Sequence, residues 1–126
     1  MKGDKISSFE DLEVYQKLCQ LHLEISKVSL NFPKFELLEL GSQIRRSSNS
    51  SPANIAEGWN NRHLNIYLEG LNRAMGELQE TLHHLSMAYE KKYLLKEDYE
   101  SYRSRYLESA RMLRGLERSL MASKRR

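Results

Sequence analysis

Residues 64–90 read LNIYLEGLNRAMGELQETLHHLSMAYE, and their apolar side chains recur every three or four residues. This is the spacing of one face of an α-helix, because about 3.6 residues complete a helical turn. The stretch therefore predicts an amphipathic helix from about Leu64 to Glu90, whose apolar face needs a packing partner. The residues on this face are Tyr67, Leu71, Met75, Leu78, Leu82, Leu85 and Tyr89.

Three further stretches show the same helical period, and none shows the strict alternation of a β-strand. Short connections separate all four stretches, which predicts an all-α protein folded as an antiparallel up-down four-helix bundle. We expect a single domain over residues 1–126, with flexible tails at 1–7 and 122–126. The three stretches run from Ser7 or Ser8 to Asn31, from about Lys34 to the turn at Gly58–Asn61, and from about Lys96 to Met121.

The start of the first helix carries two overlapping signals. Ser7 and Glu10 have the spacing of a capping box, and Ser8 and Asp11 repeat the helix-start pattern one residue later. The helix ends before Pro33, because a residue that precedes proline avoids helical backbone angles.

The second stretch contains Pro52 behind the serine-rich run 47–51, which is a poor helix-forming segment. Two interpretations are open. In the first, the helix breaks and Ser51 caps a new helix that begins at Pro52. In the second, one helix continues and is kinked at Pro52. We expect the kinked helix, because a break would leave a fragment of about six residues, which is marginal for a helix.

The net charge of +3 is unevenly distributed along the chain. Residues 1–100 contain 12 lysines and arginines and 15 acidic residues, whereas residues 101–126 contain 8 and 2. The first part therefore has a net charge of −3 and the second a net charge of +6. A basic excess at one end of the chain favours a polyanionic partner for that end.

Several function classes are disfavoured. No apolar run approaches the about 20 residues of a membrane span, and no export signal is visible, so we expect a cytoplasmic protein without membrane contact. The single cysteine, Cys19, excludes an internal disulfide. Glu80 and His83 form one Glu-x-x-His pair, whereas a di-iron bundle needs two. We expect no metal, no cofactor, no catalytic residues and no enzymatic activity, since phosphate-loop and nucleophile motifs are missing.

The candidate binding residues are basic. Arg111, Arg114 and Arg118 share one face of the fourth helix, roughly opposite its core stripe. In one interpretation these cations only keep the helix soluble and complement its dipole. In the other they track a phosphate backbone and release its counterions. The candidate nucleic-acid-binding residues are Arg111, Arg114, Arg118, Lys124, Arg125, Arg126, Arg45 and Arg46.

Residues 43–58, QIRRSSNSSPANIAEG, resemble the signature of a bacterial four-helix-bundle family that includes the proteins encoded within 23S rRNA intervening sequences. The resemblance covers roughly residues 9–120. One departure is Arg73-Ala74, which stands where family members commonly carry Gly-Ser, a pair that could allow close helix approach. The flanking agreements are Phe9-x-x-Leu12-x-Val14-Tyr15, Phe32-Pro33-x-x-Glu36 and Glu77-Leu78 followed by Leu82.

This resemblance implies a four-helix up-down bundle that assembles into a homopentamer. It also implies kinship with the accessory variability determinant proteins of diversity-generating retroelements, which bind nucleic acid and a reverse transcriptase. It supplies no catalytic residues.

A polar group on the second helix is predicted to be structural. Asn54 and Glu57 lie three residues apart, near Ser51 and Arg46, and could bond to a neighbouring helix or subunit and fix the register. We assign Asn54, Glu57, Ser51 and Pro52 to structure or interface rather than to a ligand.

The sequence thus favours a non-enzymatic, oligomeric RNA- or DNA-binding accessory protein that serves a reverse transcriptase. The alternative is a protein-interaction scaffold whose basic face recruits an acidic partner.

Overall fold

The computed structural model describes residues 5–124, with side chains up to Ser123. Over this range the chain forms four α-helices and no β-strand, which confirms the predicted four-helix bundle. Two short 3₁₀-helices, Phe9–Asp11 and Lys34–Glu36, precede the first two α-helices. The α-helices are α1 (Glu13–Ser29), α2 (Leu40–Gly58), α3 (Leu64–Glu90) and α4 (Lys96–Lys124).

Neighbouring helices are antiparallel. Ser47 Oγ lies 2.8 Å from Thr81 Oγ1, and Ser51 Oγ donates to the Ala74 carbonyl at 2.8 Å, so residue numbers rise along α2 as they fall along α3. The helices follow one another around the bundle, and the smallest helix–helix contact is the one that closes α4 onto α1. The core side chains that are at most 2% exposed include Leu18, Leu21, Ile25, Ile44, Ile55, Leu71, Leu78, Leu85, Tyr106 and Leu113.

The first helix begins later than predicted. Ser8 caps the first 3₁₀-helix, and Leu12 is extended (φ −72°, ψ 125°), so α1 starts at Glu13. The predicted pairing of Ser7 with Glu10 is wrong. The capping box is formed one residue later, by Ser8 with Asp11, because the Asp11 carboxylate accepts the backbone N–H groups of both Ser7 and Ser8.

The second helix also begins later, at Leu40 rather than near Lys34. The residues before it form the 3₁₀-helix Lys34–Glu36, and Glu39 adopts backbone angles outside the helical region (φ −113°, ψ −98°). Glu36 is responsible for part of this arrangement, because its buried carboxylate accepts the Leu40 N–H at 3.4 Å at the start of α2.

Helix α2 is continuous through Pro52, which is buried inside it, so the interpretation with a break at this residue is wrong. Proline donates no backbone hydrogen bond. The Ser48 carbonyl therefore receives no backbone hydrogen bond from residue 52, and one turn earlier Ser48 Oγ adds a bond to the Arg45 carbonyl at 3.3 Å.

The ends of the other helices agree more closely with the sequence. Helix α3 spans the predicted Leu64–Glu90, and α2 ends at Gly58, followed by Asn60 with a positive φ of 53°. Helix α4 extends to Lys124, so residues 122–124, predicted as part of a tail, are helical. None of the helices in residues 5–124 has both the length and the apolarity needed to cross a membrane.

Candidate nucleic-acid interface

A stripe of four exposed arginines runs along the outer face of α4: Arg103, Arg111, Arg114 and Arg118. We call these residues the arginine stripe. Their spacings of eight, three and four residues keep them on one side of the helix. Leu113 and Tyr106 occupy the core-facing side and are at most 2% exposed. The core therefore fixes the direction in which the arginines point.

Three members of the arginine stripe are free to meet a ligand. Arg103, Arg111 and Arg118 make no ion pair or hydrogen bond with any residue that the structure describes. Arg114 is partly neutralised, because its Nη1 atom lies 3.2 Å from Glu117 Oε1. Arg103 was missed by the sequence analysis, although its spacing from Arg111 is a visible helical signal.

The part of the arginine stripe between Arg103 and Arg111 borders an open groove of about 390 Å³. Arg103 and Arg111 flank it, with Ser104 and Leu107 between them. Tyr99 also lines the groove, but its ring is stacked on Tyr89 with centroids 4.6 Å apart. The groove thus offers two guanidinium groups, a hydroxyl and an exposed apolar side chain, and the Glu100 carboxylate also lines it.

The length of the stripe matches an extended polyanion. From Arg103 to Arg118 the helix rises about 22 Å at 1.5 Å per residue. One strand of duplex DNA presents a phosphate about every 3.4 Å along its axis, so several phosphates lie within reach of the stripe.

Arg45 has an internal role. Its Nη1 atom donates to Ser29 Oγ at 2.8 Å, and its Nη2 atom donates to the Leu37 carbonyl at 2.7 Å. These bonds join α2 to the end of α1 and to the connection after it. The guanidinium is consequently already occupied by acceptors of its own chain.

Arg46 is paired with α3. Its Nη2 atom contacts Glu80 Oε2 and lies 3.3 Å from Glu77 Oε1. The hydrogen bond from Arg46 lowers the pKa of Glu80, and His84 Nε2, 3.0 Å from Glu80 Oε2, acts in the same direction. Two carboxylates neutralise this arginine, which leaves it poorly suited to a phosphate.

The members of the predicted polar group on α2 differ in the hydrogen bonds that they make. Asn54 Nδ2 donates to the Ser50 carbonyl at 2.9 Å and so stays within its own helix, whereas Ser51 bonds across to α3. Glu57 is exposed and bonds to no described residue. Asn54 and Glu57 therefore make no hydrogen bond to another helix of the described chain, and Ser51 makes that contact. Their contact with a neighbouring subunit stays a prediction.

The close approach of α2 and α3 does not require the Gly-Ser pair. A Cβ atom on Gly70 would lie 2.8 Å from the Asn54 carbonyl oxygen and 3.3 Å from the Gly58 Cα atom. Ala74 is fully buried beside Ser51, and Arg73 points outward to Glu69. Gly58, Gly70 and Ala74 provide the small surfaces that let the two backbones meet.

A buried carboxylate, which the sequence analysis named only as part of the motif Phe32-Pro33-x-x-Glu36, joins the two connections at one end of the bundle. Glu36 is 2% exposed, and its Oε2 atom accepts hydrogen bonds from Lys91 Nζ and Tyr93 OH, both at 2.9 Å. The hydrogen bond from Lys91 is the main reason why the pKa of Glu36 is lowered. Spacing along the chain gave no signal, because the partners lie 55 and 57 residues away.

Metal-binding geometry is missing from the part of the chain that the structure describes, where no cluster of three or more His, Cys, Asp or Glu side chains could hold an ion. His83 is exposed, while Glu80 bonds to Arg46 and to His84. Of the basic tail, only the backbone of Lys124 is described, and Arg125 and Arg126 lie outside the described residues.

The amino-acid sequence was compared with models of known protein families and with functionally curated proteins. A sequence model of the family described as 23S rRNA-intervening sequence protein matches residues 10–115, which is most of the chain. No functionally curated protein gave a match.

Proposed function

Because this chain belongs to the family of 23S rRNA-intervening sequence proteins, we propose that it is a nucleic-acid-binding accessory protein without enzymatic activity. The observation that carries this proposal is the arginine stripe on α4, in which Arg103, Arg111 and Arg118 have no partner among the described residues. Unpaired guanidinium groups aligned over about 22 Å fit a row of phosphates better than a single small anion.

Binding is electrostatic. Each arginine that meets a phosphate releases condensed counterions, so affinity falls steeply as the salt concentration rises. The exposed Leu107 and Ser104 between Arg103 and Arg111 can contact a base or sugar but do not form a sequence-reading pattern. We therefore expect modest sequence preference.

The protein acts as an assembly. A homopentamer presents five copies of the stripe, and such multivalency raises the effective affinity for a long nucleic acid without new contacts. A reverse transcriptase is the protein partner that we propose. Both points rest on the resemblance of residues 43–58 to the bacterial four-helix-bundle family.

A triple variant tests the stripe directly. We expect Arg103→Gln/Arg111→Gln/Arg118→Gln to bind RNA or DNA more weakly, with a slope of log K against log salt smaller by about 2 to 3 units, close to one for each phosphate that is no longer neutralised. Glutamine keeps most of the helix propensity, so far-UV circular dichroism should match the parent. Filter binding at several salt concentrations measures the slope.

The matched control removes three exposed positive charges that lie off α4, at the end of the bundle where this helix begins: Lys27→Gln/Lys34→Gln/Lys92→Gln. This variant has the same net charge as the triple arginine variant, and with an RNA too short to engage two assemblies we expect it to keep the parent slope. An equal fall in affinity in both variants would show that net charge, rather than the stripe, governs binding. Binding by the parent that does not respond to salt would favour the protein-interaction scaffold.

A further inference from the structure

The most exposed large apolar side chains lie at one end of the bundle. Among the described residues, the four highest exposures belong to Leu38 (86%), Phe35 (69%), Leu95 (69%) and Leu30 (63%). Leu30, Phe35 and Leu38 lie in the α1–α2 connection or directly beside it, and Leu95 lies in the α3–α4 connection. We call these four residues the apolar end.

The two connections are fixed against each other. The buried Glu36 carboxylate accepts hydrogen bonds from Lys91 and Tyr93, and the rings of Phe32 and Tyr93 are 5.4 Å apart. Phe35 is next to Glu36 and Leu95 is two residues beyond Tyr93, so these contacts hold the members of the apolar end close together. The exposed apolar side chains therefore lie on a surface that these hydrogen bonds and the ring contact hold rigid. A rigid surface loses less conformational entropy when it binds a partner.

The charges around the apolar end are balanced. Residues 27–40 and 90–98 together contain five lysines and five acidic residues. Lys91 and Glu36 pair with each other. The other eight are exposed and form no ion pair with a described residue: Lys27, Lys34, Lys92, Lys96, Glu39, Glu90, Glu97 and Asp98.

From this pattern we infer that the apolar end docks onto the apolar end of a second copy of this chain, in a two-fold, end-to-end contact. In such a contact the same surface serves both partners, so lysines of one copy meet carboxylates of the other. An anionic membrane or a nucleic acid would favour a net positive surface, which this end does not have. Balanced charges around an apolar centre suit a copy of the same surface.

The size of the surface sets the strength of the contact. A stable specific interface buries about 800 Å² on each partner. Four side chains and a charged rim approach this only in part, so association is expected in the micromolar to millimolar range rather than as a permanent dimer. We call the form that the protein adopts at the lowest concentration, a monomer or an oligomer, its basal assembly. The end-to-end contact can join two basal assemblies of any size, because it uses an end of the bundle and leaves the sides of the helices free.

Sedimentation or light scattering over micromolar to millimolar concentrations tests the inference. We expect the mass of the parent to rise toward twice the mass of its basal assembly, whereas Leu38→Glu stays at the basal mass with an unchanged circular dichroism spectrum. Leu23→Glu is the matched control, because Leu23 is 62% exposed but lies in the middle of α1. It should keep the twofold rise.

A second measurement reports on the geometry. In a Cys19→Ser background, single cysteines are placed at the four positions of the apolar end: Leu30→Cys, Phe35→Cys, Leu38→Cys and Leu95→Cys. At least one of them should form a disulfide-linked dimer under mild oxidation, since a two-fold contact brings the residues nearest its axis against their own copies. Leu23→Cys should not. A parent whose mass is constant over the whole range would overturn the inference. A twofold rise that survives Leu38→Glu would also overturn it, and so would the absence of cross-linking at all four positions of the apolar end.

Discussion

Two charged side chains, Glu24 and Arg105, show how single residues hold this bundle together. The Arg105 Nη1 and Nη2 atoms donate to the two Glu24 carboxylate oxygens, both at 2.7 Å. This bidentate pair crosses between α1 and α4, which have the smallest contact of any two neighbouring helices in the bundle. The Arg105 guanidinium lowers the pKa of Glu24 to about 2, and Gln20 acts in the same direction.

The ion pair between Glu24 and Arg105 makes the free energy of unfolding depend on pH. The folded pKa of Glu24, about 2, is below the unfolded value of about 4.3. Its stabilisation is therefore present above the unfolded pKa and disappears as the pH falls from about 5 to about 2. We expect Glu24→Gln to cost about 1 kcal/mol at pH 7, a value reduced for solvent screening, and almost nothing at the acid end. Urea unfolding across this pH range measures the difference.

Glu90→Gln is the control, because Glu90 is exposed and pairs with no described residue. It should follow the pH dependence of the parent. A Glu24→Gln variant that also followed the parent would contradict the assignment.

At the scale of elements, the contact between α2 and α3 depends on small side chains. Ser47 and Ser51 are fully buried and bond across to α3, and Gly58 faces Gly70. The serine-rich run that disfavours a helix in isolation is what allows two backbones to pack closely. Tertiary contacts thus overcome the low helix propensity of this segment.

Two glycines of α3 test this packing. Gly70→Ala should destabilise the protein by about 1–3 kcal/mol, since its Cβ atom would overlap the α2 backbone. A Cβ atom on Gly76 would meet nothing within 4 Å. Gly76→Ala should stabilise by about 0.5–1 kcal/mol, because alanine is the better helix former. Thermal unfolding compares them, and equal effects of the two changes would rule out close packing at Gly70.

At the scale of the whole molecule, the two ends of the bundle differ in character. The arginine stripe runs toward the C-terminal end of α4, while the apolar end lies at the N-terminal end of the same helix. An end-to-end pair of copies would hold the C-terminal ends of its two α4 helices far apart, so that each arginine stripe can bind its own segment of nucleic acid.

Because the arginine stripe and the apolar end are separate surfaces, we expect substitutions to affect RNA binding and self-association independently. Leu38→Glu should bind a short RNA as tightly as the parent, within about twofold, but bind less tightly to a long RNA that can engage two assemblies at once. The triple arginine variant should show the opposite behaviour, with weak RNA binding and normal self-association. Titrations with RNAs of two lengths and sedimentation of both variants provide the comparison. Weakened short-RNA binding in Leu38→Glu would show that the ends are not independent.

The sequence by itself determined the helices, because an apolar period is a local property. Residues 64–90 predicted α3 to its observed ends, and the face of Arg111 and Arg118 followed from their spacing to Leu113. The continuity of α2 through Pro52 followed from the low stability of a short fragment.

Only the tertiary structure decided which polar residues are already used. Arg46 and Arg111 look alike in the sequence, yet Arg46 meets two carboxylates of α3 and Arg111 meets no described partner. Glu36 delays the start of α2 through its buried contacts, and Ser51 rather than Asn54 crosses to α3. The physical reason is the same in each case. A polar side chain bonds to whatever the packed fold brings within about 3 Å, and such partners lie far away along the chain.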